Sequence, residues 1–107
     1  MSKDEEGYNG WTNYETWCVA LWIGNEPESY GYALEITRSV IESADPDDKD
    51  YVIVNDVCNA LKGWIEDMNP LNDTATLFTD LLNAALSEVN WYEIAGNYIE
   101  EIKGESV

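Results

Sequence analysis

Carboxylates are the only side chains of this sequence that are numerous enough to suggest a chemistry. The chain has 22 aspartates and glutamates and no histidine. Carboxylate pairs can act as general acid and base, but in so acidic a sequence such pairs arise from composition alone. Without histidine, Cys-His and Ser-His-Asp arrangements are excluded, and no glycine-rich phosphate loop is present. We therefore expect a protein that is not an enzyme and has no cofactor.

Several acidic residues repeat at a spacing of seven, close to two helical turns, which places carboxylates about 10 Å apart on one face. Any acidic amphipathic helix turns its charges to solvent, so these rows fit either a solvated surface or a binding surface. Arg38 and Lys62 are the only basic residues inside the first four predicted helices, and this shortage of counter-charge favours binding. The candidate partner-binding rows are Glu28, Glu35 and Glu42; Asp73 and Asp80; and Glu93 and Glu100.

The formal net charge is −17 in 107 residues, whereas solubility of a small domain needs only about 2–8 charges. Such an excess destabilises the compact state by self-repulsion. A domain of this length is about 35 Å across, and duplex DNA of that length carries about 20 phosphate charges. The charge therefore fits a nucleic-acid mimic that occupies the groove of a basic host protein. A general acidic interaction module, with charge for solubility and a possible homodimer, is the alternative. Direct binding to nucleic acid or to a membrane is unfavourable at this charge.

Two further groups of residues are candidates for metal or thiol chemistry. Asp45 opens a cluster of aspartates, but the calcium-loop pattern fails because Lys49 takes the fifth position and Asp50 replaces the required glycine. We expect a solvated turn there and no metal site. Cys18 and Cys58 lie among apolar neighbours in no metal-ligand spacing, so we expect buried free thiols.

The elements that position these residues are predicted to be five short helices in one compact all-α domain. Thr12 and Glu15 form a capping-box pattern at the first helix, and Asn90 and Glu93 form a similar one at the fifth. Lys103 and Gly104 resemble a helix end. The first predicted helix runs from the Thr12 cap to Gly24, the second from about Glu28 to Ser43, and the third from Asp50 to Met68. The fourth begins near Asp73 or Thr74, and the fifth runs from the Asn90 cap to 103–104.

Apolar residues at helical spacing predict which face of each helix is buried. In helix one these include Tyr14, Leu21 and Trp22, and in helix four they are Leu77, Phe78, Leu81, Leu82 and Ala85. Most of the five tryptophans fall at such spacings. Trp11, Tyr30 and Tyr32 are the aromatic residues that we consider possible partner contacts.

The predicted organisation is a flexible acidic lead-in over 1–9, one helical domain over 10–104 and a tail over 105–107. No apolar run approaches the ~20 residues of a membrane span, and the polar start is unlike a signal peptide. We therefore expect a cytoplasmic protein.

Two segments resemble known sequences. The segment Gly10-Trp11-Thr12-Asn13-Tyr14-Glu15-Thr16-Trp17, followed by Ala20-Leu21-Trp22, resembles the opening of a group of small uncharacterised proteins encoded by phages, plasmids and bacterial genomes. The segment from Leu86 to Ala95 resembles the closing part of the same group. The resemblance implies a mobile-element setting in a bacterial host. By class analogy, small acidic proteins of that setting include anti-restriction and anti-CRISPR inhibitors that imitate DNA.

Overall fold

The chain folds as an all-α domain, as its periodicity predicts. The computed structural model describes residues 9–71 and 75–105, and within these ranges it contains five helices and no strand. The helices are α1 (Tyr14–Asn25), α2 (Pro27–Ser43), α3 (Asp50–Asp67), α4 (Leu77–Ser87) and α5 (Trp91–Glu105).

Two predicted helix ends differ from the structure. Helix α4 begins at Leu77 rather than near Asp73 or Thr74, because the Thr76 hydroxyl caps it by accepting a hydrogen bond from the Thr79 amide at 3.2 Å. Asp73 and Thr74 themselves lie outside the described residues. Helix α5 continues through Gly104 to Glu105, one residue beyond the predicted end, and Lys103 lies in its last turn as predicted. A glycine costs a helix only about 1 kcal/mol, and Gly104 has no positive φ that would end it.

The core is built around α5, which contacts α1, α2 and α3. Its residues Ile94 and Ala95 are fully buried against Val57 and Leu61 of α3 and Ala33 of α2. The faces predicted to be buried on α2, α3 and α5 are therefore largely confirmed, although Met68 at the end of α3 is exposed.

The beginning of α1 is fixed differently from the predicted capping box. The cap is Asn13, whose Oδ1 accepts hydrogen bonds from the Thr16 amide at 2.9 Å and the Thr16 hydroxyl at 2.6 Å. Thr12 lies outside the helix because its amide donates to Oε1 of Glu93 in α5, at 3.0 Å. The prediction of Thr12 as the cap and Glu15 as its partner is thus wrong, because tertiary contact with α5 takes the Thr12 amide.

The start of α5 is tied back to α1 in the same way. Asn90 caps α5 by accepting from the Glu93 amide at 3.2 Å, which confirms Asn90 as the helix start. The Asn90 amide donates to the buried Thr16 hydroxyl at 2.8 Å, and its side-chain nitrogen donates to the Thr12 hydroxyl at 3.3 Å. In an ordinary capping box the third helical residue bonds the amide of its own cap. Here the third residues, Thr16 and Glu93, bond amides that precede the other helix, and we call this arrangement the crossed cap.

Helices α1 and α4 bury much less apolar surface than their sequences predict. On α1, Tyr14, Leu21 and Trp22 are exposed, Trp22 to 67%. On α4, Leu77, Phe78 and Leu81 are 66, 68 and 59% exposed. The predicted buried faces of both helices are wrong for these residues, because apolar spacing identifies a coherent face and not what covers it.

The crossed cap generates a prediction about stability. We expect Asn13→Ala to lower the free energy of unfolding by about 0.5–2 kcal/mol, because it removes the cap of α1. Thr12→Ala is the matched control. It leaves the Thr12 amide bond to Glu93 intact and loses only a 3.3 Å contact at the surface, so we expect a loss below about 0.5 kcal/mol. Chemical denaturation measures both, and a larger loss for Thr12→Ala would contradict the assignment.

A second prediction concerns alkaline pH. Burial raises the pKa of Tyr98 above its ordinary value of 10.0 in the folded protein. Above that pH the unfolded chain releases the phenolic proton while the folded chain retains it, so stability falls as pH rises. We expect the free energy of unfolding of the wild type to fall more steeply between about pH 9 and 11 than that of Tyr98→Phe. Parallel slopes in denaturant titrations would show that Tyr98 does not contribute.

Candidate functional site

The most regular charged feature of the structure is the carboxylate row on α2. Glu28, Glu35 and Glu42 are all exposed and follow one side of the helix. The side opposite to them carries Ala33 and Thr37, which are fully buried against the core. The amphipathic pattern of α2 therefore both packs the helix against the core and directs the three carboxylates to solvent.

One basic residue lies beside this row. Arg38, which is partly buried, is three residues after Glu35 and four before Glu42, and residues at these spacings are neighbours on a helix. The row is therefore less free of positive charge than the sequence alone suggested. Glu28, in the first turn of α2, is the member of the row farthest from Arg38 along the helix.

The other predicted rows are less regular. Asp80 is exposed on α4, while its predicted partner Asp73 lies outside the described residues. Glu100 is exposed on α5. Glu93 lies on the same helical face as Glu100 and is partly buried. Its carboxylate accepts a hydrogen bond from the Thr12 amide in the crossed cap. Glu93 thus has a structural role in the crossed cap.

The three aromatic candidates differ in accessibility. Trp11 and Tyr30 are partly buried and pack against the core, and the Tyr30 ring lies 6.2 Å from that of Tyr98. Tyr32 is about half exposed and meets the edge of Trp64, with ring centroids 5.0 Å apart. Of the three, Tyr32 is the most available to a partner.

The structure also exposes a surface that the sequence had placed inside. The outward side of α4 is mostly apolar, with the exposed Asp80 beside it, and we call its apolar residues the α4 apolar face. Three of its large side chains are more than half exposed, and Leu82 is partly buried. The side of α4 that meets the fold carries the buried Thr79 and the partly buried Leu86, so the sequence of α4 does not by itself show which side faces the core. The face consists of Leu77, Phe78, Leu81, Leu82, Ala84 and Ala85.

Four clefts of the described structure have volumes of about 230 to 340 Å³. One of about 230 Å³ has an apolar floor that includes Ile53 and Ile99, and its rim carries Asp50, Glu100 and Lys103. Ligand pockets commonly have about 300–1,000 Å³. This cleft can accommodate a side chain of a partner more readily than a drug-sized molecule.

Metal-binding and thiol groups have structural settings. In the turn before α3, Oδ2 of Asp48 accepts a hydrogen bond from the Asp45 amide at 3.1 Å. Over residues 9–71 and 75–105, no three His, Cys, Asp or Glu side chains are placed to hold a metal ion. Cys18 and Cys58 are free cysteines, as predicted; Cys58 is buried and Cys18 partly so. Burial raises the pKa of the Cys58 thiol, and Lys62 offsets this only in part.

Membrane insertion is likewise not indicated by the helices that the structure describes, since none is long and apolar enough to cross a bilayer.

Comparison with known proteins identifies the family of this chain. A family model matches residues 4–106, so the chain belongs to DUF7249, a family of unknown function. No curated protein and no solved structure matches it.

The burial of the two thiols generates a prediction. We expect a thiol reagent to modify Cys18 faster than Cys58 in the folded protein, because Cys58 is buried and its raised pKa disfavours the reactive thiolate. Cys18→Ser should remove the fast phase and Cys58→Ser the slow one. Loss of the fast phase in Cys58→Ser would show that the buried thiol is the accessible one.

Proposed function

We propose that this member of DUF7249 is a non-enzymatic binding protein whose carboxylates occupy the basic nucleic-acid-binding surface of a partner. The partner class follows from charge, because a surface of this sign steers towards lysine- and arginine-rich grooves. A host defence protein that handles nucleic acid, of the restriction or CRISPR type, is the partner that the resemblance to phage and plasmid sequences suggests.

The exposed row on α2 is the observation that carries this proposal. A spacing of seven residues is about 10.5 Å along a helix, and three base-pair steps of one DNA strand span about 10 Å. Glu28, Glu35 and Glu42 therefore offer negative charges at a repeat that a phosphate-binding groove can meet. All three are on a helix that is anchored to the core through its opposite side.

Size and total charge also support the proposal. The longest axis of the molecule is 45 Å, and duplex DNA of that length carries about 26 phosphate charges. The net charge of −17 gives the protein roughly two thirds of that density. The negative charge therefore imitates a phosphate backbone in sign and scale. The row from Glu28 to Glu42 extends over about four turns of α2, which is the length of groove that it can contact.

The alternative function, an acidic interaction module whose charge serves solubility, is favoured by a different observation. The α4 apolar face is exposed, and exposed apolar patches on monomeric proteins often mark contact surfaces. An interaction through this face does not require a basic partner.

The proposal predicts how charge reversal affects binding. We expect lysine at Glu28, Glu35 and Glu42 together to weaken binding to a basic nucleic-acid-binding protein captured from bacterial lysate. Binding of the wild type should fall steeply with salt, since exposed charges are screened within about 8 Å at physiological ionic strength. Duplex DNA should compete for the same site. Titration calorimetry with the purified partner measures these effects.

A matched control changes the net charge equally at other exposed sites. Lysine at Asp47, Asp56 and Glu101 should weaken binding less than the α2 variant, because long-range steering is lost but the row remains. Circular dichroism shows that both variants remain helical. Equal losses of affinity for the two variants would show that the row acts only through net charge. Simultaneous binding of DNA and this protein to the partner would exclude mimicry.

A further inference from the structure

The α4 apolar face is directed away from the rest of the fold. At 100° per residue its six side chains cover a continuous arc of about 160°, from Ala84 to Leu82. The other side of α4 meets the protein: Thr79 is buried, and Asn83, Leu86 and Ser87 line a cleft with Lys62 and Glu66 of α3. An amphipathic helix normally has the reverse orientation, with its apolar side on the core.

The charge of this face distinguishes it from the surrounding surface. Asp80 is the only charged residue of α4, and at 100° per residue it lies about 40° beyond the edge of the apolar arc. The exposed Glu88, which caps the C-terminal end of α4, falls within the same arc just beyond these residues. The six apolar side chains themselves carry no charge, in a chain whose net charge is −17. A basic partner gains no ion pair from these six side chains, whereas two copies that cross near Leu81 keep each Glu88 about 10 Å along the helix from the crossing point.

We propose that the α4 apolar face is a self-association surface, which pairs with the same face of a second copy of this chain. A two-fold contact is self-complementary by symmetry, and this face is uniformly apolar. Leu77, Leu81 and Ala85 form one ridge at a spacing of four, and Phe78 and Leu82 form a second. Two such ridged faces interlock at a crossing angle of about 50°.

The exposed area is below that of a standard interface and fits only a weak, transient dimer. A specific interface needs about 1,000 Å² in total, or about 500 Å² from each copy. Large apolar side chains have on the order of 150–250 Å² each, so the exposed fractions of Leu77, Phe78 and Leu81 contribute roughly 350 Å² per copy. Leu82, Ala84 and Ala85 supply part of the remainder. The expected dimer is therefore reversible and depends on protein concentration.

Self-association has a salt dependence opposite to that of the proposed function. Two copies of charge −17 repel each other, and salt screens this repulsion while it leaves apolar contact intact. Raising the salt concentration should therefore strengthen the dimer, whereas it should weaken binding to a basic groove. The two proposals can fail independently.

Sedimentation equilibrium of the full chain tests the proposal, at protein concentrations from about 1 to 500 µM and at about 0.01 and 1 M salt. We expect the dimer fraction to rise with both. Leu81→Asp and Leu81→Lys should each raise the dissociation constant about 10- to 100-fold. The lysine variant should do so although it lowers the repulsion between copies, which identifies the lost apolar contact as the cause.

Two controls make the result specific. Leu81 is exposed in the single chain, so circular dichroism should show unchanged helix content in both variants. Tyr51→Asp and Trp22→Asp alter exposed aromatic residues on α3 and α1 and should leave dimerisation nearly unchanged. A monomer at all concentrations and salts would overturn the proposal and leave this face to a different protein. Dissociation by Trp22→Asp but not by Leu81→Asp would overturn it in favour of α1.

Discussion

The crossed cap between α1 and α5 is the constraint on which the arrangement of the fold depends. Its hydrogen bonds join residues 74–81 positions apart in sequence. It therefore fixes the first helix against the last, while α2 and α3 both pack on α5 and α2 also packs on α1. Forming it requires closure of most of the chain, an entropic cost that grows only slowly with loop length.

The crossed cap is also well suited to a chain of high negative charge. Both helices present their positive dipole ends at the junction, and the Glu93 carboxylate lies there with a backbone amide as its donor. The Thr16 hydroxyl is fully buried, and it donates to Asn13 and accepts from Asn90. The hydrogen bonds of the contact thus bring together one carboxylate with amide and hydroxyl groups, and they place no second carboxylate against Glu93.

Sequence periodicity predicted the fold class and the buried faces of α2, α3 and α5, because these helices have polar residues opposite a wide apolar stripe. It also identified the exposed acidic row on α2 for the same reason. It failed on α1, whose apolar residues occur on nearly every side, so that no period separates the inward residues from Trp22. It failed on α4 because periodicity shows which residues share a face of the helix, but not which part of the fold that face meets. The connections and the crossed cap determine how α4 is oriented.

The crossed cap joins two segments near opposite ends of the chain, residues 10–17 and 86–95. Thr12, Asn13 and Thr16 of the first segment meet Asn90 and Glu93 of the second in the crossed cap. These contacts give the residues of both segments a role in folding that requires no binding activity. The surfaces that could distinguish activities lie elsewhere, in the α2 row and the α4 apolar face. A change at either surface can alter partner or self-association while the crossed cap, and with it the fold, remains the same.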